Sequence, residues 1–501
     1  MTNSLYDALF APHEGSDRPF LTLDDGLSIS YGDFVARGAQ MAHVLVSCGV
    51  GPGDRVLVQA PKLADTLALY AGTVQAGAVY LPLNPAYTEA ELAYFVENAE
   101  PKLIVCDAAQ EKEWQSLSRG TQSSVVTLSA AGGTLSDRAD AMPRSFATVP
   151  RKDADLAALL YTSGTTGRSK GAMLSHRNLL SNARTLTELW HITNADRLLH
   201  ALPIFHTHGL FVALNTALLA GAEVRLLKQF DVDLLLEELP GGTLLMGVPT
   251  FYTRLLAAPR FTRDLTSAMR LFISGSAPLL ADTHAEFEAR TGHRILERYG
   301  MTETNMITSN PYDGDRRAGT VGYPLPNVEV RITDLEENKE VPAGEIGVIE
   351  VRGDNVFQGY WKMPEKTSEE LRPDGFFITG DLAKSETDGR ISIVGRVKDL
   401  IIAGGFNIYP KEVEDVLNGI DGISESAVYG VAHPDFGESV VAALVPEADK
   451  VPDIEAIEAA VQKALARYKH PRAYRVLTEL PRNAMGKVQK NLLRDQDPGL
   501  Q

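Results

Sequence analysis

The sequence predicts an α/β protein: a large N-terminal domain of layered sheets, a small β-barrel-like subdomain and a small α+β C-terminal domain. Helical patterns alternate with short Val/Ile/Leu runs through most of the first 330 residues, which is typical of largely parallel sheets. From residue 328 to residue 351 the pattern changes to short alternating strands. The chain has 501 residues, more than one hydrophobic core usually holds, so at least two domains are expected.

Short apolar runs bounded by polar residues predict the strands of the first domain, with examples at residues 55–58, 103–105, 244–248 and 271–273. Another buried strand is predicted at residues 156–160, and a helix at residues 175–190 with Ser175 as its N-cap. Residues 129–144 are rich in Ala, Gly, Ser and Asp and predict a loop.

Alternating strands at residues 328–332 and 347–352 predict the β-rich subdomain, which covers about 325–395. The last unit combines helices at 410–418 and 453–467 with strands at 426–430 and 473–477. We therefore expect an N-terminal domain of residues 1–397 and a C-terminal domain of residues 398–501.

Composition restricts the class of protein. Hydrophobic residues make up 44% and charged residues 23%, an ordinary globular mixture. The net charge of −17 argues against a nucleic-acid partner. The most apolar run, residues 209–221, is interrupted by Asn215 and Thr216 and is too short to span a bilayer. With no basic, apolar leader at the N-terminus, the sequence predicts no membrane association and a cytoplasmic location.

The two cysteines predict a reducing environment. Cys48 ends a helical pattern and Cys106 ends a predicted strand, so both are expected to be free thiols and not a disulfide or a metal site.

The segment Tyr161-Thr-Ser-Gly-Thr-Thr-Gly-Arg-Ser-Lys-Gly171 is the most informative part of the chain. Small residues let backbone N–H groups and hydroxyls surround phosphate oxygens, while Arg168 and Lys170 supply positive charge. Its spacing is not that of a Walker motif, because Gly164 and Gly167 are too close and Lys170 comes two residues late. The pattern predicts a phosphate-binding loop, but not that of an ordinary ATPase.

Four further segments carry groups suited to a nucleotide. Residues 297–303 offer an aromatic ring for a base, a hydroxyl for a phosphate and a carboxylate for Mg²⁺. Asp381, in Thr-Gly-Asp, suits two ribose hydroxyls. Arg396, in residues 395–407, offers a second ribose or phosphate contact next to a predicted hinge. Residues 481–487 place Lys487 on a loop near the C-terminus.

These five segments together resemble the adenylate-forming acyl-CoA synthetases, the superfamily that also contains luciferases and peptide-synthetase adenylation domains. The motifs follow the same order from Tyr161 to Lys487. Within the superfamily, residues 202–209, 248–254, 273–278 and 297–304 most resemble malonyl-CoA and methylmalonyl-CoA synthetases.

The resemblance implies an acid–thiol ligase that uses ATP, Mg²⁺ and coenzyme A in two half-reactions. A carboxylate first attacks the α-phosphorus of ATP to give an acyl-adenylate and pyrophosphate, and the CoA thiol then displaces AMP. Both steps depend mainly on positioning and charge neutralisation. In this reaction Thr302 would contact the α-phosphate, and Glu303 and Thr165 would contact Mg²⁺.

The remaining nucleotide contacts implied by the resemblance fall into three groups. The β- and γ-phosphates would be bound by Thr162, Ser163, Gly164, Thr165, Thr166, Gly167, Arg168, Ser169 and Lys170. The adenine site would contain Gly275, Ser276, Ala277, Pro278, Glu297, Tyr299, Gly300 and Met301. The ribose would be bound by Asp381 and Arg396.

The C-terminal domain is expected to be mobile, because the family rotates it between the two steps. Lys487 would bridge the attacking carboxylate and the α-phosphate, a role that suits a compact charge on a long stem. Lys398 would be the hinge residue, and Gly404 and Gly405 would approach the pantetheine of CoA. Acetylation of Lys487 by a lysine acetyltransferase, reversed by a deacetylase, would delete its charge.

Polar residues in the expected acyl pocket predict a small dicarboxylate substrate. A second carboxylate buried beside the reacting one needs a cation, and arginine can supply a bidentate contact. We expect Arg254, Ser276 and Arg298 to bind the distal carboxylate and His206 to line the pocket. The predicted activity is ATP-dependent formation of malonyl-CoA, with methylmalonate also accepted.

Other functions stay open at this stage. One is a synthetase for short- or medium-chain fatty acids or aromatic acids, and another is an adenylation domain that loads a carrier protein. A third is a non-catalytic homologue, against which the presence of Glu303, Asp381, Arg396 and Lys487 argues. The sequence does not choose between malonate and methylmalonate, because one methyl group changes the free energy by only about 1–3 kcal/mol.

Overall fold

The computed structural model describes residues 2–162, 169–336, 338–448, 450–483 and 486–497. The α-helices in this part of the chain are numbered in chain order: α1 Ser4–Leu9, α2 Tyr31–Ser47, α3 Ala64–Gln75, α4 Glu89–Ala99, α5 Glu111–Leu117, α6 Thr134–Asp140, α7 His176–Leu189, α8 Asn215–Ala220, α9 Val232–Glu238, α10 Pro249–Ala257, α11 Ala281–Thr291, α12 Pro364–Glu370, α13 Pro410–Asn418, α14 Ile454–Ala464 and α15 Lys490–Gln496.

Short 3₁₀ turns occur at Ala11–His13, Ala108–Gln110, Leu239–Gly241, Val397–Asp399 and Arg467–Lys469, and a π-helix at His208–Leu214. The strands are β1 Pro19–Thr22, β2 Ser28–Ser30, β3 Arg55–Gln59, β4 Val79–Pro82, β5 Leu103–Cys106, β6 Ser124–Thr127, β7 Leu156–Thr162, β8 Lys170–Ser175, β9 Arg197–His200, β10 Glu223–Leu226, β11 Leu244–Gly247, β12 Leu271–Ser274, β13 Leu296–Met301, β14 Asn305–Ser309, β15 Tyr323–Pro324, β16 Val328–Thr333, β17 Gly347–Gly353, β18 Phe377–Ser385, β19 Ile391–Arg396, β20 Ile401–Ala403, β21 Phe406–Ile408, β22 Ile423–His433, β23 Gly437–Pro446 and β24 Ala473–Val476.

Two largely parallel sheets form the N-terminal part of the molecule, as the alternating pattern predicts. The first has the order β6-β5-β3-β4-β7-β8, and the second β15-β14-β13-β12-β11-β9-β10-β1-β2. Helices α2 and α3 touch at Gly38 and Gly72, where a Cβ on Gly72 would lie 2.5 Å from the carbonyl oxygen of Gly38. That close contact explains the two glycines, which would otherwise weaken their helices.

The strands and helix that flank the glycine-rich segment lie where the sequence predicts them. Strand β7 precedes the segment, and α7 begins after Ser175, whose hydroxyl accepts from the backbone N–H of Asn178 at 3.2 Å. The prediction misses β8, which starts at Lys170 and pairs antiparallel with β7. The backbone of Lys170 is therefore fixed by strand pairing, which sets the face of the sheet from which its side chain projects.

The C-terminal third also follows the predicted pattern. The expected barrel-like subdomain takes the form of a four-stranded antiparallel meander, β16-β17-β18-β19. Beyond it, α13 has the predicted bounds, and the last sheet has the order β21-β20-β23-β22 with β24 on β23. Gly404 and Gly405 form the two-residue turn between β20 and β21, with φ angles of 58° and 82° that glycine adopts readily.

One predicted loop is wrong. Residues 129–144 contain α6, which places Leu135 and Ala139 in the core one turn apart. The composition of this segment favours a loop, but burial of those two side chains outweighs the weak local preference. The cysteine prediction is confirmed, since Cys48 and Cys106 are both free thiols.

Within the described residues, every helix is too short or too polar to cross a lipid bilayer.

Candidate active site

A cleft of about 740 Å³ lies where β7, β13 and β19 end, beside the start of β18 and the C-terminal loop that carries Lys487. The predicted site residues that line it are Thr162, Lys170, His206, Ser276, Gly300, Met301, Thr302, Glu303, Arg396, Lys398 and Lys487. They come from both sides of the proposed domain boundary. The structure thus brings most of the separate sequence motifs to one cavity.

Part of the phosphate-binding segment lies outside the described residues: Ser163, Gly164, Thr165, Thr166, Gly167 and Arg168. Of the residues on either side, Ser169 uses its carbonyl to accept a 2.8 Å hydrogen bond from the Tyr94 hydroxyl. Thr162 and Lys170 face each other across the β7–β8 ladder. This anchors both ends of the segment at the cleft.

Lys170 points at an acidic part of the cleft. Its Nζ lies 3.2 Å from Glu370 Oε1 and 3.1 Å from the hydroxyl of Tyr360. The ammonium is also 4.2 Å from the centroid of the Tyr360 ring, within cation–π range. Tyr360 and Glu370 were not predicted as site residues, and they fix the direction of the lysine.

Glu303 is buried at the same end of the cleft, with 4% of its surface exposed. Its Oε1 lies 3.0 Å from the Tyr360 hydroxyl, which is also 2.6 Å from Glu370 Oε2. A hydroxyl has one proton and can donate fully to only one of these carboxylates. Burial raises the pKa of Glu303, and the nearby Lys170 opposes that shift. This carboxylate is short of positive partners and could accept a cation.

Asp381 joins two other predicted residues. It accepts from Arg396 Nε at 2.7 Å and from the Tyr299 hydroxyl at 2.5 Å. The Asp381 carboxylate is the main cause that raises the pKa of Arg396. Burial, followed by the charge of Asp381, raises the pKa of Tyr299 far above its usual value. A carboxylate has about four lone-pair sites, so Asp381 can accept from additional donors.

Lys487 reaches the cleft from the C-terminal loop. Gly486 beside it has φ +72°, and a Cβ there would lie 3.2 Å from Thr250 Oγ1 at the start of α10. Burial lowers the pKa of Lys487 to about 8, and the guanidinium of Arg396 contributes to the shift. The ammonium therefore lies in a desolvated, electropositive part of the cleft that favours an anion.

Arg298 is buried against Gly275. Only 3% of its surface is exposed, and a Cβ on Gly275 would lie 2.3 Å from the Arg298 Cζ. Its Nε and Nη2 have no hydrogen-bond partner among the described residues. Burial lowers the pKa of Arg298 to about 9. Burying a guanidinium that has no carboxylate partner among the described residues is costly in free energy.

The charge of Arg298 acts on two buried imidazoles, those of His206 and His208. His208 Nδ1 is 3.3 Å from Ser276 Oγ, and Ser276 has a strained φ of +71°. Buried polar atoms without described partners are His208 Nε2 and Thr207 Oγ1. Burial lowers the pKa of His206 to about 4, and Arg298 and Lys487 add to the effect, so both cations lie near this imidazole.

The structure does not bring every predicted residue to the cleft. Arg254 is exposed in the last turn of α10, whose buried face carries Phe251, Tyr252, Leu255 and Leu256. It therefore does not share a pocket with Arg298, contrary to the expected pair of arginines. The reason is helical periodicity, because Arg254 falls between the buried positions.

Glu297 is buried on its strand and accepts from the backbone N–H of Gly319 at 3.3 Å, and burial raises its pKa to about 8. Ala277 is half-buried and Pro278 exposed beside the cleft. Gly404 and Gly405 are exposed on the C-terminal domain, outside the group that lines the cleft.

The fold and this cleft are those of an enzyme that binds a nucleotide and activates a carboxylic acid. Residues 10–361 match the AMP-binding enzyme family, and residues 412–487 match the AMP-binding enzyme C-terminal domain. The chain belongs to this family and is an adenylate-forming acyl-CoA ligase, an acid–thiol ligase.

Known proteins resemble the chain over nearly all of its length. ATP-bound MatB from Rhodopseudomonas palustris has 53% identity and a TM-score of 0.97, with 99% of each chain covered. Malonate–CoA ligase from Arabidopsis thaliana is 33% identical over 98% of this chain and 88% of its own length. Sulfoacetate–CoA ligase from Cupriavidus necator is 34% identical, with 95% of this chain and 94% of its own length covered.

Proposed function

We propose that this ligase is a malonyl-CoA synthetase, which converts malonate, ATP and CoA to malonyl-CoA, AMP and pyrophosphate and also accepts methylmalonate. The observation that carries the proposal is the buried guanidinium of Arg298, whose Nε and Nη2 find no partner among the described residues. A fatty-acid pocket would gain nothing from this charge. A second carboxylate on the substrate would provide its missing ion pair and two hydrogen bonds.

The arrangement around His206 supports a short diacid. Burial lowers the pKa of the His206 imidazole, and the charges of Arg298 and Lys487 lower it further. Both cations therefore act on the same ring. We place one carboxylate of the substrate at Lys487 and the other at Arg298, an arrangement that favours a diacid over a monocarboxylate. The hydroxyls of Thr207 and Ser276 and the ring of His208 add donors beside the distal carboxylate.

The nucleotide would occupy the opposite part of the cleft. We assign Lys170 and the preceding segment to the β- and γ-phosphates, and Thr302 to the α-phosphate. Tyr299 and residues 275–278 would contact adenine, and Asp381 with Arg396 would bind the ribose. Because Lys170 already pairs with Glu370, phosphate binding would replace that ion pair.

Glu303 fits the role of a magnesium ligand, because it is a buried carboxylate with spare acceptor positions. Bound there, Mg²⁺ would neutralise phosphate charge. Thr165, the other proposed contact, lies outside the described residues.

Lys487 would stabilise the approach of two anions, the attacking carboxylate and the α-phosphate. Rotation of residues 398–501 about Lys398 would then remove Lys487 and bring Gly404 and Gly405 towards CoA. The exposed position of this turn on the C-terminal domain is compatible with that second role. Control of Lys487 by acetylation stays a prediction.

A panel of acids tests the proposal directly. With ATP and CoA, AMP release is expected to be fastest with malonate, slower with methylmalonate, and at least about 10²-fold slower with propionate, which cannot pair with Arg298. Sulfoacetate tests whether the pocket recognises any distal anion. Preference for butyrate, octanoate or an aromatic acid would contradict the proposal, while transfer to a holo-carrier protein and not to CoA would favour a carrier-loading enzyme.

The charge on Lys487 predicts a pH dependence. A lysine is charged below its pKa, so kcat/KM for adenylate formation should fall as the pH rises through about 8. Pyrophosphate release, measured without CoA at saturating ATP between pH 6.5 and 10.5, would show this falling limb of the pH profile. Lys487→Arg keeps its charge across that range and should lose the limb, whatever its absolute rate. An unchanged limb in that variant would assign the titration to another group.

A further inference from the structure

The segment that carries His206, Thr207 and His208 is a loop fixed mainly at its two ends. This 201–209 loop leaves β9 after His200 and enters the π-helix His208–Leu214. It supplies His206 and His208, on which the charge of Arg298 acts, and Thr207 between them, so its position would decide the shape of the proposed acyl pocket. Two side chains, those of Lys62 and His200, hold this loop in place.

One anchor is Lys62, which comes from the other large sheet. It lies between β3 and α3, and its Nζ donates to the carbonyl oxygens of His200 at 2.9 Å and Leu202 at 2.7 Å. No described carboxylate lies within ion-pair distance of this ammonium, and burial lowers its pKa well below the usual value. Desolvating a lysine that has no carboxylate partner costs free energy, and its hydrogen bonds to the two carbonyl oxygens offset part of that cost.

The connection that carries Lys62 is itself fixed. The hydroxyl of Thr66 donates to the carbonyl of Pro61 at 2.7 Å, and the backbone N–H of Leu67 donates to the carbonyl of Leu63 at 3.2 Å. Lys62 therefore extends from a rigid turn at the start of α3. Its side chain therefore links the six-stranded sheet to a loop that follows a strand of the nine-stranded sheet.

The second anchor closes the loop. His200 Nε2 lies 2.8 Å from the carbonyl oxygen of Gly209, and burial lowers the pKa of this imidazole to about 3, so the ring is neutral and Nε2 is the donor. Gly209 packs against the other end, where a Cβ would lie 2.1 Å from the Pro203 carbonyl oxygen. Both ends of the 201–209 loop are thus tied to His200 and, through its carbonyl, to Lys62.

We propose that Lys62 and His200 are positioning residues that fix the 201–209 loop and thereby set the selectivity of this ligase for a dicarboxylate. This inference rests on the proposed function for its choice of substrate. Neither side chain lines the cleft. Their effect would pass through the loop to His206, Thr207 and His208, which surround the distal carboxylate and not the nucleotide.

Lys62→Met tests the proposal, because methionine preserves an unbranched apolar stem and removes the donors. The expected result is about a tenfold rise in KM for malonate, with kcat and the KM for ATP within about twofold of wild type, since a small displacement at a positioning contact is costly. Turnover of propionate should change little, so the malonate-to-propionate ratio of kcat/KM falls. Lys112→Met, at an exposed lysine on α5, is the matched control and should leave all constants unchanged.

Hydrogen exchange separates this inference from the proposed function. In Lys62→Met the amides of residues 201–209 should exchange at least about tenfold faster, while those of β23 keep their wild-type protection. If the wild-type protein turned over propionate faster than malonate, the malonate proposal would be wrong. The hydrogen-exchange result would be unaffected. Unchanged exchange of the loop, or equal losses with malonate, propionate and ATP, would overturn the positioning role.

If Lys62→Met does not fold, His200→Leu tests the same loop from its other anchor. The same rise in exchange and the same fall in the malonate-to-propionate ratio are expected. An unchanged ratio in a folded His200→Leu protein would contradict the proposal.

Discussion

Lys487→Ala is expected to abolish adenylate formation while CoA transfer to supplied malonyl-adenylate persists. The ammonium lies in the cleft beside Arg396 and Asp381, where it is largely desolvated. An interaction in such a site gains strength as negative charge from two reacting groups converges on it. Its removal should lower the rate of pyrophosphate release by at least about 10²–10³-fold, the scale seen when an oxyanion contact is lost.

The two half-reactions must be measured separately to test this role. Malonate-dependent pyrophosphate release reports the first, and AMP release from supplied malonyl-adenylate with CoA reports the second. Lys463→Ala removes an exposed lysine of the same domain and serves as the control, with both rates expected to match wild type. Equal loss of the two half-reactions in Lys487→Ala would show that the residue supports the domain as a whole and not the first step.

Arg298→Ala is expected to lower kcat/KM for malonate by about 10²-fold or more, because breaking a buried ion pair costs about 3–5 kcal/mol and each 1.4 kcal/mol is tenfold. Activity with propionate should be preserved or increase, because the variant no longer buries a charge that propionate cannot pair. The malonate-to-propionate ratio is therefore the informative quantity.

A stability measurement distinguishes this role from a structural one. In the free protein the Arg298 guanidinium has Nε and Nη2 without described partners, so its removal should not lower the melting temperature. Arg254→Ala is the matched control, because that arginine is exposed on α10 and its loss should change the constants by less than about twofold. A large loss of stability, or equal losses with both acids, would contradict a substrate-binding role for Arg298.

Local patterns were sufficient for much of the architecture. Strand β7, helix α7 with its Ser175 cap, and helix α13 follow directly from apolar periodicity and capping residues. They could be predicted because the relevant interactions join residues close in sequence. Helix α6 could not, because its stability depends on burial of Leu135 and Ala139 against other elements.

The same distinction between local and long-range interactions applies to the residues of the cleft. Glu303, Asp381, Arg396 and Lys487 belong to short motifs whose residue types suit a nucleotide, so they could be predicted from the sequence alone. Tyr360 and Glu370 were missed, although they orient Lys170, because a Gly-Tyr-Trp turn and one acidic residue of a polar helix carry no local signature of a site. Lys62 and His200, which we propose to fix the 201–209 loop, likewise carry no local signature.

By itself, the sequence determined the class of fold and the adenylate-forming chemistry, and it predicted the four charged residues of the motifs. It could not separate Arg254 from Arg298, since both lie in segments expected to form the acyl pocket. Only the tertiary structure decided between them: Arg254 is on the solvent face of a helix, and Arg298 is buried beside Gly275. The physical reason is that the free energy of a charge depends on its solvation and its partners, which are fixed by residues distant in the chain.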